Sequence, residues 1–537
     1  MPSRHFRRPC LLAAVVVGVC GVAPCSSSQG ATLEVKTSQG LLVGEQAGEG
    51  VRIYRGIPYA APPVGALRWK DPQPPVSWRG VLDATHFGAR CMQISGNAQQ
   101  RNRVDVTGLP LSEDCLFLNV WTAAEKPRDR RPVIVWIHGG TFMIGTGAQF
   151  DGSTLAKRGV VVVTINYRLG AFGLFAHRAL TAESAHHTSG NYAFADTLAA
   201  LAWVRKNIAA FGGDPRRVTV MGQSAGGRLI QSLRTSPCAR GLLSRAIIES
   251  APIRILALRT LADAERDGIA TAEKAAASTV GELRALPAQQ VLDNFPVGQP
   301  VIDGRCITQD PLLAPRDGRS HDVDLLVGSN ADEGTFPFLR AREFSIAFEN
   351  AAAYSKYVEQ RYAKGAPAFL AAYPSGGDMD FNAVHREAFR DEMAWLAWNS
   401  ARAHARLNSG KTFLYYFTHR PPAPEAGPDR GATHGAEIAF AAGTPAPNWR
   451  DEDRRVSDVM SAYWANFASR GDPNAPGLPE WPVFTGDNGL RMNLGPMTPG
   501  PPLDAARIAV FQELFRRVIV PAGDAQRSGE QPVASSP

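Results

Sequence analysis

The stretch RVTVMGQSAGGRLIQSL, residues 217–233, decides how this chain is read. Val218–Met221 is apolar and largely β-branched, the composition of a buried strand, and the residues from Ala225 onward read as a helix. Between them G-Q-S-A-G makes a tight turn. The pattern G-x-S-x-G is by itself common, and a serine in an ordinary strand-to-helix loop or helix cap also fits it. Its context adds chemistry: a sharp strand–turn–helix lifts a serine hydroxyl above the sheet, and Gly222 and Gly226 leave the space beside Ser224 free of side chains. The following helix points its first N–H groups at the same place, where they favour negative charge.

Three further runs of the same kind lie on either side: Val133–Ile137 before HGGTF, Val160–Ile165 before NYRLG, and Leu325–Val327 before GSNADEG. Apolar throughout, they are what the strands of a parallel sheet look like when both faces are covered. Helical periodicity separates them, notably over 191–211, where Leu198, Leu201, Ala202, Val204 and Ile208 recur near a 3.6-residue spacing. The alternation predicts an α/β fold with a large, mostly parallel central sheet and helices on both faces. Residues 252–300 and 337–410, rich in Ala, Glu and Arg, read as helical insertions over the sheet rather than parts of it. No internal repeat or strong linker divides the chain, so residues 31–520 are expected to form a single catalytic domain. The polar stretch 521–537 reads as a disordered tail.

The first thirty residues have another character. Basic residues in 1–8 precede an apolar run from Leu11 to Ala23 and then small, polar residues, the pattern of an export signal. The run is shorter than the ~20 residues that a membrane span needs, and no later stretch is long and apolar enough. Residues 1–30 are therefore expected to be removed on export to the periplasm or the outside of the cell. The net charge of +7 falls to +4 without them, and the remaining basic residues are scattered, which argues against nucleic acid as a partner. Of seven cysteines, Cys91, Cys115, Cys238 and Cys306 lie beyond the signal; an even number in an exported chain favours disulfides, and no C-x-x-C suggests zinc.

A serine needs a base to take its proton, and in strand–turn–helix hydrolases the acid and then the histidine follow the serine in the chain. His321, His385, His404, His419 and His434 qualify by position. His385 and His404 sit in helical runs, His321 precedes a strand and so lies at its wrong end, and His419 ends the run TFLYYFTH where a turn role is as natural. His434, in the glycine-flanked GATHGAE, is the best placed to enter a cleft. For the acid, DLLVGSNADEG offers Asp332 and Glu333, which spacing does not separate. The loop IHGGTF and the N–H of Ala225 are the natural donors to a developing oxyanion.

Taken together, YRGIPYAAPPVGALRW, SEDCLFLNVW, VIVWIHGG, VVVVTINYRLGAFG, GNYAFADTLAALAWVRKNIAAFGGDP, GQSAGG, GSNADEG, GATHGAEIAF and WANFASRGDPN resemble the type-B carboxylesterases, the cholinesterase-like branch of the α/β-hydrolase fold, over residues 32–515. The resemblance implies a Ser224–Glu333–His434 triad and an oxyanion hole from the N–H groups of Gly140, Thr141 and Ala225. It also implies a Cys91–Cys115 disulfide; Cys238 and Cys306 do not match the family's usual second bridge and are left as a possible pair.

The departures carry information too. Gln223 replaces the usual glutamate before the nucleophile, which implies a weaker preference for cationic esters. Residues 92–114 contain no aromatic, so a choline-binding tryptophan is not expected there. Thr141 stands where the family has a third glycine, and Arg228 where it has a small residue. Arg228 is a specificity candidate with Gln223, although pairing with a buried acid is the commoner role for such a side chain.

The expected activity is hydrolysis of small-molecule carboxylic esters through an acyl-enzyme, with no cofactor and no metal. A related bond (lactone, amide or carbamate) and a non-catalytic, adhesion-like use of the fold are the rival readings; the intact triad disfavours the second. Oligomeric state is not legible.

Overall fold

The computed structural model describes residues 33–48, 50–94, 106–251, 258–334, 348–374, 380–423, 431–486, 489–501 and 504–528. The expected export signal lies outside the described residues, as do the segments 95–105, 252–257, 335–347 and 529–537.

Eleven strands form the central sheet. In chain order they are β1 (Glu45–Ala47), β2 (Val51–Pro58), β3 (Phe117–Thr122), β4 (Arg131–Ile137), β5 (Val161–Ile165), β6 (Gly213–Gln223), β7 (Arg245–Glu249), β8 (Asp324–Asn330), β9 (Thr412–Phe417), β10 (Arg491–Leu494) and β11 (Thr498–Gly500). Their order across the sheet is β1-β2-β3-β5-β4-β6-β7-β8-β9-β10-β11. From β5 to β10 every pairing is parallel, and the strands added at the two edges pair antiparallel. The four runs read from sequence are the middle of this sheet. Shorter strands such as β7, and the antiparallel β1–β3, carry too little apolar length to stand out.

Because successive strand residues face opposite sides, each central strand feeds two cores. Val133, Val135 and Ile137 of β4 join Val218 and Val220 of β6 and Leu325 and Val327 of β8 on one face. Against them pack helices α1 (Tyr192–Asn207) and α2 (Ala225–Thr235), through residues such as Leu201, Val204, Leu229 and Leu233. Ile134, Trp136, Met221, Ile247 and Leu326 point the other way. There they meet Val456, Met460, Trp464 and Phe467 of helix α4 (Asp451–Arg470). Both faces are covered, which is why these strands contain so few polar residues.

Two expectations are corrected. Helix α3 (Phe381–Leu407) lies within 337–410 but is not a covering insertion over its whole length: its second half supplies Ala397 and Ala401 to the core with Leu325, Val327 and Leu414, and it makes the crossover from β8 to β9. Its mixed composition hid this, because a helix packed on several sides shows no single apolar stripe. The expected tail also begins later, since helix α5 (Ala505–Ser528) continues through 521–528. Residues 261–295, by contrast, do form a satellite: Ala272, Leu283, Val291 and Phe295 pack with Trp69, Phe172 and Phe175 away from the sheet.

Cys91 is bonded to Cys115 and Cys238 to Cys306. The separations are 24 and 68 residues, so in the chain-entropy model the closures are worth about 3 and about 4 kcal/mol. The Cys238→Ser/Cys306→Ser double variant is therefore expected to lose about 4 kcal/mol in urea unfolding. A loss under 1 kcal/mol would show that the unfolded chain gains little freedom when this bond is absent.

Candidate active site

Strand β6 ends at Gln223, helix α2 begins at Ala225, and Ser224 between them has φ 56° and ψ −119°. Such a backbone is costly for a non-glycine residue, of order 1–3 kcal/mol, and persists only when its surroundings enforce it. Here the surroundings are close backbone: a Cβ on Gly226 would fall 2.0 Å from the carbonyl oxygen of Ile137, and one on Gly222 would fall 2.7 Å from the same atom. The amide of Ser224 donates to the carbonyl of Glu249 at 2.9 Å, which ties the turn to β7. Ser224 is held at the carboxyl end of the sheet, at the head of α2, and is buried.

His434 and Glu333 meet there from other parts of the chain. The imidazole Nδ1 is 2.5 Å from Glu333 Oε2, and Glu333 Oε1 accepts from the amide of Asn330 at 2.9 Å. Both side chains are buried. Asp332 faces elsewhere, accepting from the amide of Ala432 at 2.7 Å, while Asn330 Nδ2 donates to the carbonyl of Thr433 at 2.8 Å. Two residues that spacing could not separate thus take different work: Glu333 contacts the ring and Asp332 pins the loop that carries it. Beyond the ring, the side-chain nitrogen of Gln223 lies 3.1 Å from His434 Nε2.

The HGGTF loop turns sharply beside the serine, with φ of 109°, 56° and 61° at Gly140, Thr141 and Phe142. Thr141 Oγ1 donates to the carbonyl of Gly140 at 2.7 Å, and that oxygen also accepts from the amides of Met143 and Ile144. Underneath, Tyr167 donates its hydroxyl to the carbonyl of His138 and stacks on its ring at 4.4 Å. Burial depresses His138 to about 4, so this imidazole stays neutral. Among the described residues the N–H groups of Gly140, Thr141 and Ala225 donate to no carbonyl. Arg228, one turn along α2, lies 5.4 Å from the centre of the Phe142 ring and donates to Gln299 Oε1. The charge of Arg228 also acts on Asp310, whose carboxyl is pushed up by burial and lowered in part by the amides of Leu258 and Leu312 and, after them, by Arg228.

Sequence reading missed the acids behind the triad. Glu249 and Glu437 are buried; Trp464 Nε1 donates to Glu249 Oε1 at 2.7 Å, and Asn330 Nδ2 and the Ser250 hydroxyl donate to Glu437. Burial raises Glu249 to about 8 and Glu437 well above the carboxylate range. The available signal was a charged residue ending an apolar run, IIES, and a glutamate three residues after the histidine. The other histidines are engaged elsewhere. His321 Nε2 lies 2.8 Å from the carbonyl of Ser236, His385 packs among Phe348 and Tyr357, and His404 contacts the Thr412 hydroxyl. Among the described residues no group of His, Cys, Asp or Glu is arranged to hold a metal ion.

A family model described as "Carboxylesterase family" matches residues 31–502. This chain belongs to the carboxylesterase family. It is 35% identical over 456 residues to "Fumonisin B1 esterase" of Sphingopyxis macrogoltabida, a match that covers 81% of this chain and 82% of that protein. It is 34% identical over 481 residues to "Para-nitrobenzyl esterase" of Bacillus subtilis (strain 168), covering 84% and 93%. A solved structure of "PNB esterase" matches with a TM-score of 0.77 at 30% identity, over 89% of this chain and 99% of that one. The carboxylesterase is thus an α/β-hydrolase and a carboxylic ester hydrolase.

His419, two residues beyond β9, is held by Asp453 of α4, Nε2 to Oδ1 at 2.6 Å, and Arg450 grips the same carboxylate. Burial would raise Asp453, but the hydrogen bonds from Arg450 and His419 outweigh it and hold the carboxyl near 2. A depressed folded-state value stabilises the fold above the unfolded value near 3.9, and that stability is lost as pH falls through about 2. Asp453→Asn in this carboxylesterase is expected to cost about 2 kcal/mol at pH 6, shrinking as pH drops from 4 towards 2. Urea unfolding at several pH values measures this, and a pH-independent cost would rule out the linkage.

Proposed function

We propose that this protein is an exported serine carboxylesterase that hydrolyses small-molecule carboxylic esters through an acyl-enzyme. The observation that carries the reading is the 2.5 Å contact between Glu333 and the His434 ring, at the site where a strained turn presents Ser224 at the head of α2. Ser224 Oγ attacks the ester carbonyl while His434 takes its proton. The tetrahedral oxyanion is received by the N–H groups of Gly140, Thr141 and Ala225, each worth about 10²–10³ in rate. His434 then protonates the departing alcohol, and with the alcohol gone it draws a proton from water, whose oxygen attacks the acyl carbonyl and releases the acid. Glu333 orients the ring and stabilises its cation. Arg228 is given the structural role, bracing Phe142 behind the oxyanion loop.

Export is supported by the apolar N-terminal run, by two disulfides of the kind that persist in oxidising compartments, and by the lack, among the described residues, of any helix long and apolar enough to cross a membrane. The proposed catalytic domain spans residues 31–520; of the two compact units in the chain, the larger runs from Leu33 to Pro537.

Ser224→Ala is expected to lower kcat for p-nitrophenyl acetate, butyrate and octanoate by about 10⁴-fold or more while the fold persists. Equal rates in mutant and wild type would discard the nucleophile assignment. Thr141→Gly removes a β-branched side chain held at φ 56° beside the acyl group. It is expected to raise the octanoate-to-acetate ratio of kcat/KM by about tenfold, the effect of roughly 1.4 kcal/mol of relieved crowding; an unchanged ratio would remove Thr141 from the acyl wall.

A further inference from the structure

The catalytic imidazole is held from both sides. Its Nδ1 meets Glu333 at 2.5 Å, and its Nε2 faces the side-chain nitrogen of Gln223 at 3.1 Å. An amide nitrogen only donates, so the ring nitrogen opposite it must offer a lone pair. A ring that accepts at Nε2 in this way carries its proton on Nδ1, directed at Glu333. The amide is sterically confined: a Cβ on Gly139 would lie 2.7 Å from Gln223 Oε1, so the HGG turn packs directly on it. Gln223 is buried.

We propose that Gln223 is a positioning residue that holds His434 in its neutral, proton-accepting form, and that it thereby extends activity to lower pH than a carboxylate in the same place would allow. The proposal rests on His434 being the base. A carboxylate 3 Å from Nε2 would favour the imidazolium, the form that cannot take a proton from Ser224. An amide N–H does the reverse, because it bonds only to the neutral ring. The lone pair that Gln223 engages is also the one that receives the serine proton, so the amide tempers the basicity of the ring as well as orienting it.

The charged groups around the ring leave room for this control. Glu333, on the loop after β8, is in direct contact. Asp332, beside it, is turned onto the amide of Ala432. Glu437, from the stretch that follows His434, and Glu249, from the end of β7, are both pushed up by burial, which favours their neutral forms. Tyr415 of β9 faces the same acids and is likewise pushed up by burial. From β6 comes Gln223, where a glutamate would bring a second carboxylate to the ring. The amide instead brings no second carboxylate to Nε2 opposite Glu333.

The test is the pH dependence of kcat/KM for p-nitrophenyl acetate, a substrate without a titrating group of its own, with wild type, Gln223→Glu and Gln223→Met. The acid limb of Gln223→Glu is expected to move up by about one pH unit or more. Gln223→Met, which keeps the length but loses the donor, should move in the same direction by less, and provides the readout if the glutamate variant does not fold. A limb that stays in place or moves down in the folded variants overturns the proposal. So does a Met variant displaced as far as the Glu variant, since the added charge would then have no effect of its own. Loss of activity in Ser224→Ala together with an unmoved limb in Gln223→Glu would reject this inference alone; a fully active Ser224→Ala would reject the reading on which it stands.

Discussion

The turn at Ser224 is the constraint on which the rest depends. Three backbone segments converge there with no space for side chains: the end of β6, the first turn of α2, and the carbonyl of Ile137 at the end of β4. The left-handed backbone of Ser224 is not a local preference of the sequence. It is imposed by the pairing of β6 with β4 and β7, and its cost is carried by the two cores that hold those strands in register. With the turn in place, the serine stands at the carboxyl end of the sheet, and the groups that meet it arrive from loops at that end.

Those loops arrive in two ways. The HGGTF loop follows β4 directly and is folded back by hydrogen bonds onto its own carbonyls, supported by a neutral His138 stacked on Tyr167. Glu333 and His434 come from separate connections and are fastened to each other through the backbone, Asp332 to Ala432 and Asn330 to Thr433. Both pairs have the same logic: a polar side chain satisfies a buried backbone group and, in doing so, fixes where the next functional side chain points.

Behind the site, burial sorts the carboxyls. Desolvation raises Glu249 and Glu437 and so favours their protonated forms, and Trp464, Asn330 and Ser250 donate to them. Acids shifted towards the neutral form can be packed closely behind a histidine without competing for its charge, while Glu333 and Gln223 contact the ring itself.

Local patterning was enough for much of this protein. Four apolar β-branched runs, each ending in glycine or a polar turn, sufficed to predict a mostly parallel sheet covered on both faces, and the strand–turn–helix around Ser224 located the nucleophile candidate, because both signals are written in adjacent residues. His434 stood out through the glycines that flank it. Other features are properties of position in space, and spacing along the chain does not encode them. Asp332 and Glu333 are neighbours in one turn, and only the direction of the loop after β8 decides that Glu333 meets the ring while Asp332 meets Ala432. The second half of α3 reads as a covering insertion because its apolar residues are spread around the helix; packing between β8 and β9 makes it part of the sheet's own layer. The pairing of Cys238 with Cys306, the burial that raises Glu249 and Glu437, and the second hand on the imidazole, Gln223, were likewise decided by the tertiary fold. Each depends on which distant groups burial brings together, and the strength of burial is set by the whole chain rather than by any stretch of it.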